Sequence, residues 1–497
     1  MPSILIVNPA ADEPSYYSYE VLDGPDGGWV QVADLTIATL AAFVPEGWDI
    51  RLAEEAVYPV DLDAEVDFVA ITGKVTQRGR MIALAEAFRR RGRTVLIGGP
   101  FATLSPDDMR PHADILVTGE MEALAPRLFA DLAAGSWQDS YDGGRADVRL
   151  APLPRWDLYP VDRAQLGALQ TTRGCPFSCE FCDVIQYQGR KQRHKDLGQV
   201  LRELDGLYAA GFRNVFLVDD NFTVHRSRAR EVLDAIAAWN AEREDPVSFL
   251  TQASLDIARD DDMLERCRAA GLTTLFMGVE TINEDSLRET GKKQNLLMPM
   301  LEAVDRIVGH GIGVHAGIIV GFDHDGPGTF AASPLPELGI GVLTAPQATD
   351  LYRRLDREGR LSGPIWETAA QGPFATNVIP LRMSREALLE GTQALARWAF
   401  SPDVYEGRMI NFIARFGGEG RRPARSAGPA RPRNRNFLRL MGIVSALGEA
   451  EARMVKRVLR AAAAKPATLP SVLYFLGHYA QARFYLDGGA ARHEAAA

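Results

Sequence analysis

Short apolar runs that close on glycine- or proline-bearing turns set the limits on this fold. Within residues 1–137 the runs are Ile4–Val7, Phe68–Ile71, Val95–Ile97 and Ile115–Val117. They end in the phrases NPA, TGK, GGP and TGE. A strand that is apolar at every position is buried on both faces, which calls for a parallel sheet with helices on either side. Ligands of such sheets sit beyond the carboxyl ends of the strands. Gly73, Gly98, Gly99 and Gly119 fall at those ends. Lacking side chains, they permit close approach of a large flat or phosphate-bearing ligand. They are equally compatible with ordinary strand-to-helix turns.

Residues 138–165 read as a linker, with three prolines in APLPRWDLYP. A second βα series follows over 166–365. Its expected strands are Ala168–Thr171, Val215–Val218, Phe249–Thr251, Leu275–Gly278 and Val314–Val320. Helical stretches such as 196–210 and 261–270 separate them. Repeated βα units of this length imply a full or partial parallel barrel. From residue 366 to 497 the pattern becomes helical, as in SREALLEGTQALARWAF and LPSVLYFLGHYAQARFYL. Between these blocks, 417–436 is rich in Arg, Gly and Pro and reads as a disordered basic loop. It is either a solvated linker or a contact for an anionic partner. The fold class is therefore α/β with a helical C-terminal extension.

Bulk properties narrow the function. The chain has 497 residues, 46% hydrophobic and 24% charged, as expected of a soluble globular protein. Its net charge of -10 argues against a nucleic-acid binder. No apolar run reaches ~18 residues, so no transmembrane segment is expected. The start, MPSILIVNPAADEP, lacks the pattern of a signal peptide. Four cysteines in so long a chain make no disulfide framework, which favours a reducing, cytoplasmic setting.

Three of those cysteines share one phrase: Cys175, Cys179 and Cys182, in TTRGCPFSCEFCD, just after the first barrel strand. Thiolates suit iron–sulfur clusters and zinc. Structural zinc usually takes four ligands, and no second CxxC exists. His194 as a fourth ligand, or a disulfide within the trio, are the alternatives. Cys267, in DDDMLERCRAAG, reads as a packed thiol on a helix. His315 and His324 flank the fifth barrel strand, as structural histidines or as proton donors to a cavity. No GxSxG, HExxH or GxxxxGK[ST] phrase supports conventional nucleophilic or phosphate chemistry.

The CxxxCxxC spacing after a barrel strand resembles the radical S-adenosylmethionine superfamily. The resemblance implies that Cys175, Cys179 and Cys182 hold a [4Fe-4S] cluster whose open iron chelates S-adenosylmethionine. Reductive cleavage then releases a 5'-deoxyadenosyl radical. It also implies S-adenosylmethionine contacts from Phe181, from Asp219, Asp220 and Asn221 after the second strand, and from Ser254, Glu280 and Gly321 after the next three. A parallel-sheet domain ahead of the barrel resembles the cobalamin-binding class. The phrases VDFVAITGKVTQRGRM, TVLIGGPFATLSP, ADILVTGE, VDDNF, TGKKQN and IIVGFDHD resemble the subgroup that includes hopanoid C-2 methylases. For cobalamin the implied contacts are Gly73, Lys74, Gln77, Gly98, Gly99, Gly119 and Glu120. Residues 1–137 would then be a Rossmann-like cobalamin-binding domain and 166–365 a partial (β/α)6 barrel.

Two features depart from that pattern. The cobalt-ligating DxHxxG phrase is missing, and TGKVTQRG stands in its place with Gln77 nearest the expected cobalt face. The stretch from Phe330 to Tyr352 is shorter than in relatives. The implied function is methylation of an unactivated carbon of a lipid or secondary metabolite, with a small-molecule substrate and a flavodoxin- or ferredoxin-type reductant. The alternatives are a non-methylating radical rearrangement, cyclisation or coupling, and a degenerate cluster-binding accessory protein.

Overall fold

A computed structural model describes residues 1–326, 335–369, 372–417 and 432–488. The chain divides into two compact units, neither continuous in sequence. The first comprises 1–13, 24–212 and 345–372, and the second comprises 14–23, 213–344 and 373–497.

The first unit is built on six parallel strands. They are β1 (Ser3–Asn8), β3 (Asp49–Glu54), β4 (Phe68–Thr72), β5 (Thr94–Gly98), β6 (Ile115–Thr118) and β7 (Ser140–Asp142), in the order β3-β1-β4-β5-β6-β7. A further strand, β2 (Val30–Val32), pairs in parallel with β8 (Ala164–Leu169). The apolar runs are buried as expected: Val69, Ile71, Val95, Ile97 and Leu116 pack against Leu84 and Phe88 of the helix Arg78–Arg90. The chain leaves β1 toward β3 on one side and β4 lies on the other, so the β1/β4 crevice is the switch point of the sheet.

The second unit carries five parallel strands in sequence order: β11 (Asn214–Leu217), β12 (Ser248–Ala253), β13 (Leu272–Glu280), β14 (Gly313–Val320) and β15 (Glu337–Val342). Its helices include Arg385–Ala399, Pro402–Arg415, Glu449–Ala464 and Leu469–Leu486. Cys267 is fully buried on the helix Asp261–Ala270, and burial pushes its thiol up to about 12.

Several elements differ from the sequence expectation. β7 lies inside the 138–165 stretch read as a linker, because a three-residue strand with only Tyr141 buried shows no apolar run. The first barrel strand starts at Ala164 and ends before Thr171, since β8 pairs at its beginning with β2. β3, in DIRLAE, was hidden by its charges. Residues 418–431 of the expected basic loop lie outside the described residues, while a helix, Pro432–Ala446, already begins within 417–436. Part of the Phe330–Tyr352 stretch also lies outside them, yet a sixth strand is present: β15 pairs with β14 over six residues.

At the end of β3, Glu54 is 4% exposed. It accepts both oxygens' bonds from Asn8 Nδ2 at 3.0 Å and one from the Tyr159 hydroxyl at 3.0 Å. Burial first, then the Asp34 carboxylate, push Glu54 up to about 8 from 4.5. The folded chain thus keeps a proton that the unfolded chain has released, so stability is lost as pH rises through that window. Glu54→Gln is expected to flatten the fall in unfolding free energy between pH 4.5 and about 8, measured by urea titration. An unchanged slope would contradict the assignment.

Candidate active site

The cysteine phrase is a loop closed at its base by a small hairpin. β9 (Thr172–Arg173) pairs antiparallel with β10 (Arg193–His194). Inside it the Cys175 amide donates to the Gly189 carbonyl at 3.1 Å, and the Cys182 amide to the Cys179 carbonyl at 3.1 Å. Gly174 has φ +101°, and a Cβ there would come within 2.7 Å of the Lys191 carbonyl. Cys179 is buried; Cys175 and Cys182 are half-buried, and all three are reduced thiols. Burial pushes the Cys182 thiol up to about 12, opposed by the Val184 amide and reinforced by Asp183 and the other two cysteines. Among the described residues no three His, Cys, Asp or Glu side chains converge on one ion.

Charged pairs fix this loop from two sides. Arg173, at the end of β9, reaches Glu120 at 3.1 Å and Glu122 at 2.9 Å. Arg193 grips both oxygens of Glu120 at 2.6 Å, and donates to the carbonyls of Ala146 and of Gln188 within the loop. The two guanidinium groups hold Glu120 below its ordinary range against the opposing effect of its burial. Between Cys179 and Phe181, Glu180 accepts from Arg354 Nε at 2.6 Å, and its carbonyl accepts from the Leu351 amide at 3.0 Å. Glu120 is therefore engaged in an ion-pair network with Arg173 and Arg193. Sequence reasoning missed Arg173, Arg193, Glu122 and Arg354, since a single arginine carries no local signature.

The second unit gathers another set of polar groups at the carboxyl ends of β11–β14. Asp219, Asp220 and Asn221 follow β11, with Asp219 fully buried. Asn221 Nδ2 donates to Ser254 Oγ, after β12, at 2.7 Å. Glu280 closes β13 at φ +65°, beside a register shift, and meets Lys292 Nζ at 2.6 Å. A left-handed backbone at a residue other than glycine is strained. Asn295 helps hold it by donating to the Gly278 and Val279 carbonyls at 2.8 and 3.1 Å. Lys292 and Asn295 belong to the TGKKQN phrase, whose contacts to Glu280 and to the β13 carbonyls the sequence did not reveal. Gly321 has φ +118°, and a Cβ there would meet Leu388 at 2.9 Å, so local packing already demands glycine. Its amide donates to Asp325 at 2.9 Å.

The third expected set lies on the carboxyl edge of β4–β6 in the first unit. A Cβ at Gly99 would collide with Thr72 Oγ1, and one at Gly119 would come within 2.5 Å of the Gly144 amide. At Gly73 it would meet Met81 at 2.7 Å, and at Gly98 the Val117 carbonyl at 3.3 Å. Gly99 and Gly119 lie against neighbouring turns, whereas Gly73 faces a helix side chain and Gly98 a strand carbonyl. Lys74 is exposed. Gln77 is buried, its Oε1 accepting from the Lys74 amide at 2.8 Å and its Nε2 donating to Asn8 and Pro9. That amide group is committed to closing the β1/β4 crevice.

A loop of three thiols after a parallel strand, and polar groups at the ends of four successive parallel strands, are the features that define the class. Residues 169–332 match the model of the radical SAM superfamily, and 349–487 match a domain of unknown function. An uncharacterized methyltransferase of Synechocystis sp. is 34% identical over 81% of this chain and 77% of its own length. The hopanoid C-2 methylase of Rhodopseudomonas palustris is 33% identical over 65% of this chain and 64% of its own. The chain belongs to the radical SAM superfamily, in the group that holds these relatives. Among solved structures, the radical S-adenosylmethionine methyltransferase TsrM of Kitasatospora setae aligns with a TM-score of 0.62 at 16% identity, over 94% of this chain and 100% of that one. The cobalamin-dependent enzyme OxsB aligns with a TM-score of 0.61 at 14% identity, over 100% and 81%. Both likenesses show the fold, an α/β chain with a curled parallel half-barrel and a helical C-terminal region.

Glu120→Gln would leave Arg173 and Arg193 without their shared carboxylate. The expected cost is on the order of 3 kcal/mol in unfolding free energy, together with lower iron uptake on reconstitution. Denaturation midpoints and iron content measured on the same preparation check both. Full iron loading in the variant would show that the ion pairs do not position the loop.

Proposed function

We propose that this chain is a cobalamin-dependent radical S-adenosylmethionine C-methyltransferase that acts on an unactivated carbon of a lipid or secondary metabolite. The observation that carries the reading is the three-thiol loop, closed by its hairpin and held by the Glu120 and Glu180 ion pairs. The methyltransferase names of two relatives above 30% identity supply the reaction class.

The residues fit the implied groups to different degrees. Cys175, Cys179 and Cys182 would hold the [4Fe-4S] cluster, with soft sulfur donors and no fourth cysteine in the loop. Asp219, Asn221, Ser254 and Glu280 would meet S-adenosylmethionine, with acceptors for its ammonium and ribose groups. On the β4–β6 edge, cobalamin would rest on backbone and small residues, and Gln77 would give cobalt no ligand because its amide is engaged elsewhere. Bound together, these groups supply hydrogen abstraction and a methyl donor for a carbon that has no lone pair. The chain's own part is alignment. The ion pairs set the cysteine loop, Lys292 and Asn295 set the strained Glu280, and Asn221 and Ser254 fix one another. The presence of β15 favours an active enzyme over an accessory protein, because the barrel keeps its sixth strand.

Anaerobic reconstitution with iron, sulfide and hydroxocobalamin is expected to give roughly four irons and one cobalt per chain. Turnover is expected to release both S-adenosylhomocysteine and 5'-deoxyadenosine. Cys179→Ala should lose iron and both products. Release of 5'-deoxyadenosine alone would favour the non-methylating alternative. Iron loading with neither product would favour the accessory protein.

A further inference from the structure

Charge is spread unevenly along this chain. Its net charge is -10, yet residues 437–465 hold six lysines and arginines against two glutamates. They span most of the helix Pro432–Ala446 and all of the helix Glu449–Ala464, both in the second unit. On the latter helix the residue types divide by face. Met454, Val455, Val458 and Ala462 are buried. Arg453, Lys456, Arg457 and Arg460 are exposed. The last three lie three, four and seven residues after Arg453, so all four share one stripe. At ~1.5 Å per residue it runs about 10 Å along the axis.

Cations that serve the fold in this region have well-defined partners. Lys465 donates to the carbonyls of Ile413 and Ala414 at 3.0 and 3.2 Å, and Arg483 reaches Glu451 at 2.7 Å. The stripe differs. The side chains of Lys456 and Arg460 have no hydrogen bond or ion pair among the described residues. Arg453 lies 3.6 Å from Glu449, and the two are 67% and 97% exposed. Arg457 lies 3.0 Å from Glu406 and is itself 70% exposed. Such solvated pairs contribute little to stability and leave the cations available.

The neighbouring helix adds a second chemistry. Leu438 is 67% exposed, and Leu447, in the turn between the two helices, is 43% exposed. Arg439, Gly442 and Ala446 are exposed with them. Both helices pack on Leu469–Leu486, so their exposed faces turn away from one common support. Cations beside aliphatic side chains narrow the partner. An anionic lipid layer meets both, with phosphates for the cations and the acyl boundary for the leucines. A nucleic-acid backbone offers the leucines nothing. A particular carboxylate on a protein is gripped by a fixed fork, as Arg193 grips Glu120, whereas loosely held cations suit a diffuse negative surface. The rest of the chain is acidic, so such a surface attracts this side and repels the remainder.

We propose that the exposed faces of Pro432–Ala446 and Glu449–Ala464 dock the protein reversibly on an anionic lipid surface. Lys456 and Arg460 supply cations free of other partners, and Leu438 supplies apolar contact. The docking stands without the methyltransferase reading. Joined to that reading, the lipid surface is where an apolar methyl acceptor is met.

The test is co-sedimentation of the full chain with vesicles of phosphatidylglycerol and phosphatidylcholine in equal parts, and with vesicles of phosphatidylcholine alone. Binding is expected to the first and not to the second, and it should weaken as sodium chloride is raised. Lys456→Gln combined with Arg460→Gln should weaken it about thirtyfold. The charge-preserving pair Lys456→Arg and Arg460→Lys should bind like the parent. Leu438→Gln should weaken binding several-fold and leave its salt dependence unchanged. All three variants alter solvated side chains, and an unchanged thermal melt checks their fold. Absence of binding to the anionic vesicles overturns the proposal. So does equal binding to the neutral ones, full binding by the double glutamine variant, or tighter binding of duplex DNA than of the vesicles. None of these measurements needs iron or S-adenosylmethionine, so failure here is distinct from failure of the methyltransferase reading.

Discussion

The buried contact between Glu120 and its two arginines is the constraint on which the cysteine loop depends. A loop of this length, running from Gly174 to Gln192, has no sheet or long helix of its own to hold three sulfur atoms in register. Its ends are joined by only two residue pairs between β9 and β10. Arg173 and Arg193 sit at those pairs, and both reach the same carboxylate at the end of β6. The parallel sheet of the first unit thereby becomes the anchor of the loop. The Glu180–Arg354 pair adds a second anchor between Cys179 and Cys182. Forked arginine–carboxylate pairs fix direction as well as distance, which suits a loop that would present three ligands at once.

The two units follow one rule, with polar and strained residues gathered where parallel strands end. Helices cover both faces of such strands, so their carboxyl ends are the free places for chemistry. Glu280 shows the cost: its backbone is left-handed and its carboxylate needs Lys292, while Asn295 satisfies the carbonyls disturbed by the register shift.

What the sequence made legible was set by burial. Strands apolar at every position, such as β4 and β5, stood out, and so did the cysteine spacing. Strands with one buried face or few residues did not: β3 carries Asp49, Arg51 and Glu54, and β7 buries only Tyr141. β15, in ELGIGV, is interrupted by Gly339 and Gly341. Polar residues at strand ends were legible where a local phrase carried them, as with Asp219, Asn221 and Ser254 after β11 and β12. Glu120 and Gln77 were placed at the right edge, but their partners come from distant segments, so their roles in ion pairing and crevice closure were invisible. The segment 14–23 gave no signal of its place, because it joins the second unit while its flanks build the first.

The account stands on an iron that the three-thiol loop, as proposed, would leave open. Electron paramagnetic resonance of the reduced, reconstituted chain tests this most directly. Adding S-adenosylmethionine should shift the cluster signal, because the ligand binds the metal itself. A spectrum unchanged at saturating S-adenosylmethionine would contradict it.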